Sequence, residues 1–257
     1  MKKIKQRLRE GEILTGCWLS LGNSVVSEIV GHAGFDWVLI DLEHGVGVEK
    51  DLLLQLQSLS DSSSASIVRI ESSKLQRIMR VLDFGAEGIM CPRVKNVEDA
   101  KKVVSGVCYP PEGNRGVAKL VRATKFGENA LNYFRDVKEN ILGIVQIETS
   151  EVLNYLDEIA NLEGVDVLFI GPADLTMSLG IFGQLDHPLF IGALEKTIDA
   201  ANKAGKSTGI LLHDVNDFEK YRQMGIQMLA CGADIAFIKN GAQKMANELN
   251  IRKNKFD

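Results

Sequence analysis

Two carboxylates stand where apolar runs of this chain stop. The run "ILGIVQIE" (141–148) ends on Glu148, and "VDVLFIG" (165–171) continues through Pro172 and Ala173 to Asp174. If the two runs are neighbouring strands, about 4.8 Å apart, both side chains can reach one point. Two bare carboxylates that close repel, so one keeps a proton or the pair shares a cation. Two oxygen ligands, completed by water and substrate, suit Mg2+ or Mn2+. The plainer alternative gives each a helix-start role, Glu148 at the positive end of a helix dipole and Asp174 as the cap of the next helix.

Other polar residues fall at similar places. His44 follows "WVLIDLE" (37–43), three residues after Asp41. A carboxylate there can hold one ring nitrogen and leave the other as a base. Alternatively His44 is a loop residue, Asp41 belongs to a turn, and Glu43 is a supporting or solvated side chain. Arg69 interrupts "SIVRI" (66–70), where a buried charge calls for a partner or an anion. It can steady a developing oxyanion, or pair with Glu43 or Glu71 for structure alone. Gln146, two residues before Glu148, shares its strand face and either donates to a substrate oxygen or fills the core. Gly171, Pro172, Ala173 and Asp174 put small residues and backbone N–H groups at a helix start, a geometry that receives a carboxylate. His32, His187 and His213 are assigned no role.

The elements that must position these groups are eight short apolar runs: 15–21, 37–43, 66–70, 88–92, 141–148, 165–171, 207–212 and 227–232. Their hydrophobics are continuous rather than alternating, as in parallel strands covered on both faces. Several are introduced by a glycine after a helical stretch, as in "AGFD" and "FGAEG", which predicts left-handed helix ends. Eight such units fit a (β/α)8 barrel better than an open sheet, and barrels carry their chemistry at the C-terminal strand ends. Trp18, Asp41, Glu43, His44, Arg69, Pro92, Arg93, Gln146, Glu148, Gly171 to Asp174 and Leu212 all fall there. The long connection 108–134, with Tyr109, Arg115, Arg122 and Phe126, reads as an ordered lid or a subunit contact.

The 257 residues suit one domain, 1–257, and no linker or low-complexity tract divides them. A net charge of −4 with no basic stripe argues against nucleic acid as a partner. The four cysteines are scattered, with no zinc spacing, which predicts free thiols in a reducing cytoplasm. No signal-peptide core or membrane-spanning run is evident, so a membrane is not expected as a partner.

The motifs "WVLIDLEHG", "IVRI", "GAEGIMCPRV", "YPPEGNRG", "VRATKFG", "VQIET", "VDVLFIGPADLTMSLG" and "GKSTGILL" follow one another over nearly the whole chain. Together they resemble the HpcH/HpaI aldolases, class II pyruvate-dependent enzymes acting on 4-hydroxy-2-oxo acids, including 2-dehydro-3-deoxy-sugar-acid aldolases. The resemblance implies a TIM barrel of the phosphoenolpyruvate/pyruvate-binding type and a divalent cation, Mg2+, Mn2+ or Co2+, on Glu148 and Asp174. It implies that Arg69 faces the keto oxygen of pyruvate and that His44, partnered by Asp41, is the base. Gln146 would orient pyruvate, and the backbone at Gly171, Ala173 and Asp174 would receive its carboxylate. Trp18 and Leu212 would shape the aldehyde end, and the assembly would be a homo-oligomer, a hexamer built from dimers with exchanged helices. Two departures stand out. Arg93 occupies a place where an uncharged residue is usual, implying an acidic aldehyde, and "KMANELNIRKNKFD" leaves little chain for an exchanged helix. The rival readings are a citrate-lyase-β or citramalyl-CoA-type lyase, a Schiff-base aldolase using Lys239, and an inactive barrel serving as a binding subunit.

Overall fold

All eight apolar runs form strands: β1 (Leu14–Leu19), β2 (Trp37–Asp41), β3 (Ala65–Arg69), β4 (Gly88–Cys91), β5 (Leu142–Ile147), β6 (Val167–Ile170), β7 (Ser207–Leu212) and β8 (Met228–Ala233). They are seen in a computed structural model that describes residues 3–253. Each strand pairs in parallel with its neighbours in chain order, and β8 closes on β1, so the sheet is a (β/α)8 barrel. The helix-to-strand turns are as tight as their glycines imply: Gly34 and Gly85 sit at φ 102° and 95°, a region open to glycine at no steric penalty.

Side chains alternate between the barrel interior and the layer beneath the helices. Inside, Trp18, Trp37 and Phe169 meet edge to face or tilted, with ring centroids 5.7 to 6.1 Å apart. Gly16 and Gly209 make this possible, because a Cβ at either would run into the Trp37 or Phe169 ring. The same alternation, carried one step toward the C-terminal ends, turns Asp41, Arg69, Gln146 and Gly171 inward above that aromatic floor. The opposite end is closed by helix Ile4–Arg9, which buries Ile4 and Leu8 and pairs Lys5 with Asp166 at 2.9 Å.

The connection 108–134 does not act as a lid. It follows helix Val97–Val107, which returns the chain to the N-terminal end of the barrel, and it stays there. Arg122 donates to the carbonyls of Leu56 and Phe84 at the ends of two barrel helices. Arg115 is buried against Asp83 and Tyr133. Val117, Leu120, Phe126 and Leu131 in this segment remain exposed.

The C-terminal residues form a 20-residue helix, Asp234–Lys253, about 30 Å long. The chain therefore has room for a full helix beyond the barrel, contrary to the impression of a short tail; residues 254–257 lie outside the described residues. Only Asp234 of this helix is buried, while Ile235, Phe237, Ile238, Met245, Leu249 and Ile251 are exposed. No helix among the described residues is long and apolar enough to cross a membrane.

Candidate active site

Neighbouring strands place Asp41 and Arg69 side by side, since they are register partners in the β2–β3 ladder. Arg69 grips Asp41 with two charge-assisted bonds, Nε to Oδ1 at 2.9 Å and Nη2 to Oδ2 at 2.6 Å. Its third nitrogen, Nη1, lies 3.1 Å from Glu43 Oε2, and the guanidinium stands 6.0 Å from the Trp18 ring. Burial by itself would raise the Asp41 carboxyl, but Arg69 and the amides of Glu43 and His44 hold it below the ordinary range. Burial also works against the Arg69 charge, yet Asp41, Glu43 and Glu148 keep its pKa above the usual value.

This arrangement corrects the pairing expected for His44. Asp41 accepts from the backbone N–H of His44 at 3.3 Å, not from its ring, because Arg69 has claimed both carboxylate oxygens. The imidazole is 61% exposed and its Nε2 lies 3.8 Å from Glu43 Oε2. Asp41 thus fixes the loop that carries His44, while Glu43 is the carboxylate nearest the ring.

Glu148 continues the inward face of β5 just past its end and is buried. No helix begins on it; the next turn of helix starts at Val152, so the dipole alternative does not hold. Its only hydrogen bond among the described residues is from the Arg93 amide to Oε1, at 2.5 Å. Burial, opposed by that amide and reinforced by the charges of Asp174 and Glu43, pushes the Glu148 carboxyl up to about 7. Asp174 is exposed in the first turn of helix Pro172–Ser178, whose N-cap is Gly171 with no side-chain cap bond. Asp174 caps nothing, and its charge acts on Glu148.

Gln146 is buried beside this pair, and its Oε1 finds no hydrogen-bond partner among the described residues. A Cβ at Gly171 would sit 3.2 Å from Glu148 Oε2 and 3.5 Å from Gln146 Nε2, so the missing side chain leaves room directly over both. Among the described residues no cluster of three or more His, Cys, Asp or Glu could hold a metal. What exists is a two-carboxylate site with an unsatisfied amide oxygen and open space. An all-oxygen donor set of this kind, completed by water and substrate, fits a divalent cation.

The Gly171 amide donates to the Ile147 carbonyl at 3.2 Å, so it is not free to receive a carboxylate; the first-turn amides of Ala173 and Asp174 are the donors left. Leu212 does not line the mouth but packs under the helices with Ile170, Phe190 and Tyr221. Leu211, two residues beyond the inward Gly209, is the one packed on the interior cluster. Strand parity was the signal for it. Trp18 stays inside, as the floor beneath Arg69. Glu43, left out of the expected site, joins Arg69, His44 and Arg93; its place between Asp41 and His44 was the available hint. Lys239 is exposed on the terminal helix, away from every strand end, which removes the Schiff-base reading.

A family model described as HpcH/HpaI aldolase/citrate lyase matches residues 14–240. The chain is 41% identical over 243 residues to a pyruvate aldolase of Rhizobium etli, covering 95% of each. It is 37% identical over 245 residues to a 5-keto-4-deoxy-D-glucarate aldolase of Escherichia coli O6:H1, again covering 95% of each. Among solved structures, an HpcH/HpaI aldolase/citrate lyase family protein from Burkholderia cenocepacia superposes with a TM-score of 0.90 at 34% identity, over 96% of this chain and 98% of that one. By this match, and by the barrel that carries it, the chain belongs to the HpcH/HpaI aldolase/citrate lyase family and is an enzyme of the aldolase and lyase type.

Proposed function

We propose that this protein is a divalent-metal-dependent aldolase that cleaves a 4-hydroxy-2-oxo acid to pyruvate and an aldehyde. The observation that carries this reading is the buried Glu148, raised to about 7 with no cationic side chain bonded to it, beside Asp174 and the unsatisfied Gln146. Glu148 and Asp174 would hold Mg2+, Mn2+ or Co2+. When bound, the cation supplies Lewis-acid polarisation of the keto group of the substrate.

The remaining work falls to the chain. Arg69, held in one orientation by Asp41 and Glu43, aims its guanidinium at the oxygen that gains charge as the carbon–carbon bond breaks. A fixed donor of this kind needs no reorganisation during the reaction. His44, on the loop pinned by Asp41, takes the hydroxyl proton in cleavage and returns a proton to the methyl carbon of pyruvate, directly or through one water. Gln146 and the amides of Ala173 and Asp174 orient the carboxylate end of the substrate. Trp18 walls the site from below.

The terminal helix favours a homo-oligomer. Asp234 ties its start to the end of β1 by accepting from Ser20 and Leu21, and beyond that point its apolar side chains touch little of their own barrel. A second copy is the occupant that would cover them, in a hexamer built from helix-exchanging dimers. Four unpaired thiols fit a cytoplasmic setting.

Exchange of the pyruvate methyl protons with D2O, read by NMR without any aldehyde, tests the core of this proposal. Exchange should need a divalent ion, vanish in EDTA, resist borohydride and slow about 10²–10⁴-fold in His44→Ala. Absence of exchange with every divalent ion tried would favour the coenzyme A lyase instead.

A further inference from the structure

We infer that Arg93 determines specificity for the aldehyde partner and selects an aldehyde that carries a carboxylate. This rests on the aldolase reading above and names a substrate class for that site. The backbone is the first sign. Arg93 follows Pro92 just past β4 with φ 56°, a left-handed conformation that glycine or asparagine adopts more readily. Its amide is tied to Glu148 Oε1, so the residue is held at the edge of the carboxylate pair. An observed outlier of this kind, supported by a bond to the reacting centre, points to a functional constraint.

The side chain is the second sign. It is 72% exposed, and its only partner among the described residues is Glu43, with Nε 3.6 Å from Oε1, too long for a hydrogen bond. Its terminal nitrogens bond nothing among the described residues. Arg69, by contrast, has its Nε–Nη2 fork taken by Asp41 and its Nη1 beside Glu43, which leaves single N–H groups for a substrate oxygen but no free fork. Arg93 is thus the guanidinium at this mouth with its planar fork still open, the geometry that takes a carboxylate by two parallel bonds.

Among the carboxylates at the strand ends, Asp41 and Glu43 are offset by Arg69, and Glu148 and Asp174 would be offset by the cation they hold. Arg93 adds a positive charge to that balance, which favours an anionic aldehyde over a neutral one of the same size. Glu43 also sets the spacing: Oε1 faces Arg93 and Oε2 faces Arg69 and His44, so the two guanidinium groups stand on either side of one carboxylate. A short oxo acid would lie with its aldehyde carbon near Arg69 and His44 and its carboxylate on Arg93.

The test compares kcat/KM for glyoxylate and for glycolaldehyde, two-carbon aldehydes that differ in charge, in aldol addition to pyruvate. Taking the ratio in wild type against the ratio in Arg93→Asn cancels their different intrinsic reactivity, and Asn accepts the left-handed backbone. The glyoxylate-to-glycolaldehyde ratio should fall about 10- to 50-fold in Arg93→Asn and be largely kept in Arg93→Lys. Raising ionic strength should lower the ratio in wild type and leave it flat in Arg93→Asn. A variant that slows both aldehydes alike, or neither, leaves the ratio unchanged and overturns the inference. Methyl-proton exchange in pyruvate separates the two levels. Exchange with an unchanged ratio sinks only the role of Arg93, whereas no exchange removes the aldolase reading and this inference together.

Discussion

The two ends of the barrel both bury charge, and they treat it differently. At the N-terminal end Lys5 meets Asp166 at 2.9 Å and also reaches the carbonyls of Lys138 and Ile141, while Arg7 meets Asp36 at 2.7 Å. Arg115, whose Nε and Nη1 lack hydrogen bonds, is stacked on Tyr109 and Tyr133 at 4.8 and 5.3 Å. Every buried charge there has a partner within its own chain. At the C-terminal end Glu148 has one amide and Gln146 Oε1 has nothing. Buried polar groups without partners are expensive; the unbonded nitrogens of Arg115 are offset by two tyrosine rings, whereas Glu148 and Gln146 border open space that a ligand can fill. The N-terminal end is complete within its own chain; the C-terminal end is incomplete, and a ligand bound there would supply what it lacks.

Mutations should separate the ends by what they damage. Glu148→Ala or Asp174→Ala should abolish pyruvate release while leaving the circular dichroism spectrum unchanged, since one carboxylate leaves too few ligands. Full turnover by either variant in metal-stripped buffer would sink the assignment. Arg69→Lys keeps the charge but loses the fork that Asp41 orients, so kcat should fall roughly 10²–10³-fold with a smaller change in KM. At the other end, Lys5→Met leaves Asp166 without its ammonium partner. Denaturant unfolding should show a loss of roughly 3 kcal/mol, and the folded fraction should keep wild-type kcat. A Lys5 variant with normal stability and poor kcat would reverse the comparison.

Much of this was legible because the signals are local. Continuous apolar runs and the glycines before them mark all eight strands, and the run ends mark Glu148, Asp174, Asp41 and Arg69 as a group. What escaped depended on relations between elements. Asp41 bonds Arg69 rather than the His44 ring because β2 and β3 are in register at those two residues, which three-residue spacing cannot reveal. Leu212 and Leu211 differ by one step of a period-two pattern, and only the inward Gly209 beneath Phe169 tells which faces the interior. The lid reading of 108–134 overlooked the direction of the chain. A segment that follows a barrel helix emerges at the N-terminal end, away from the site.

The smallest effect expected is also the most direct probe of the incomplete end. Glu148 titrates near 7 in the metal-free protein because it is buried beside Asp174 and Glu43, against an ordinary carboxyl near 4.5. A raised carboxyl binds its proton more tightly folded than unfolded, so its contribution to stability is fully present below about pH 4.5 and is lost as pH rises through about 7. A gap of about 2.5 pH units corresponds to roughly 3 kcal/mol, and relaxation around the site should reduce it to about 2. Glu148→Gln keeps the shape of the neutral acid and never acquires the charge. In EDTA the variant and the wild type should therefore unfold at similar urea concentrations at pH 4.5, and at pH 8 the variant should be the more stable by about 2 kcal/mol. Adding a divalent cation at pH 8 should stabilise the wild type and do little for Glu148→Gln, because a ligand that binds only the folded state shifts unfolding by mass action. A stability difference that is the same at both pH values would mean that folding does not raise the Glu148 carboxyl, and that the C-terminal end is no less complete than the N-terminal one.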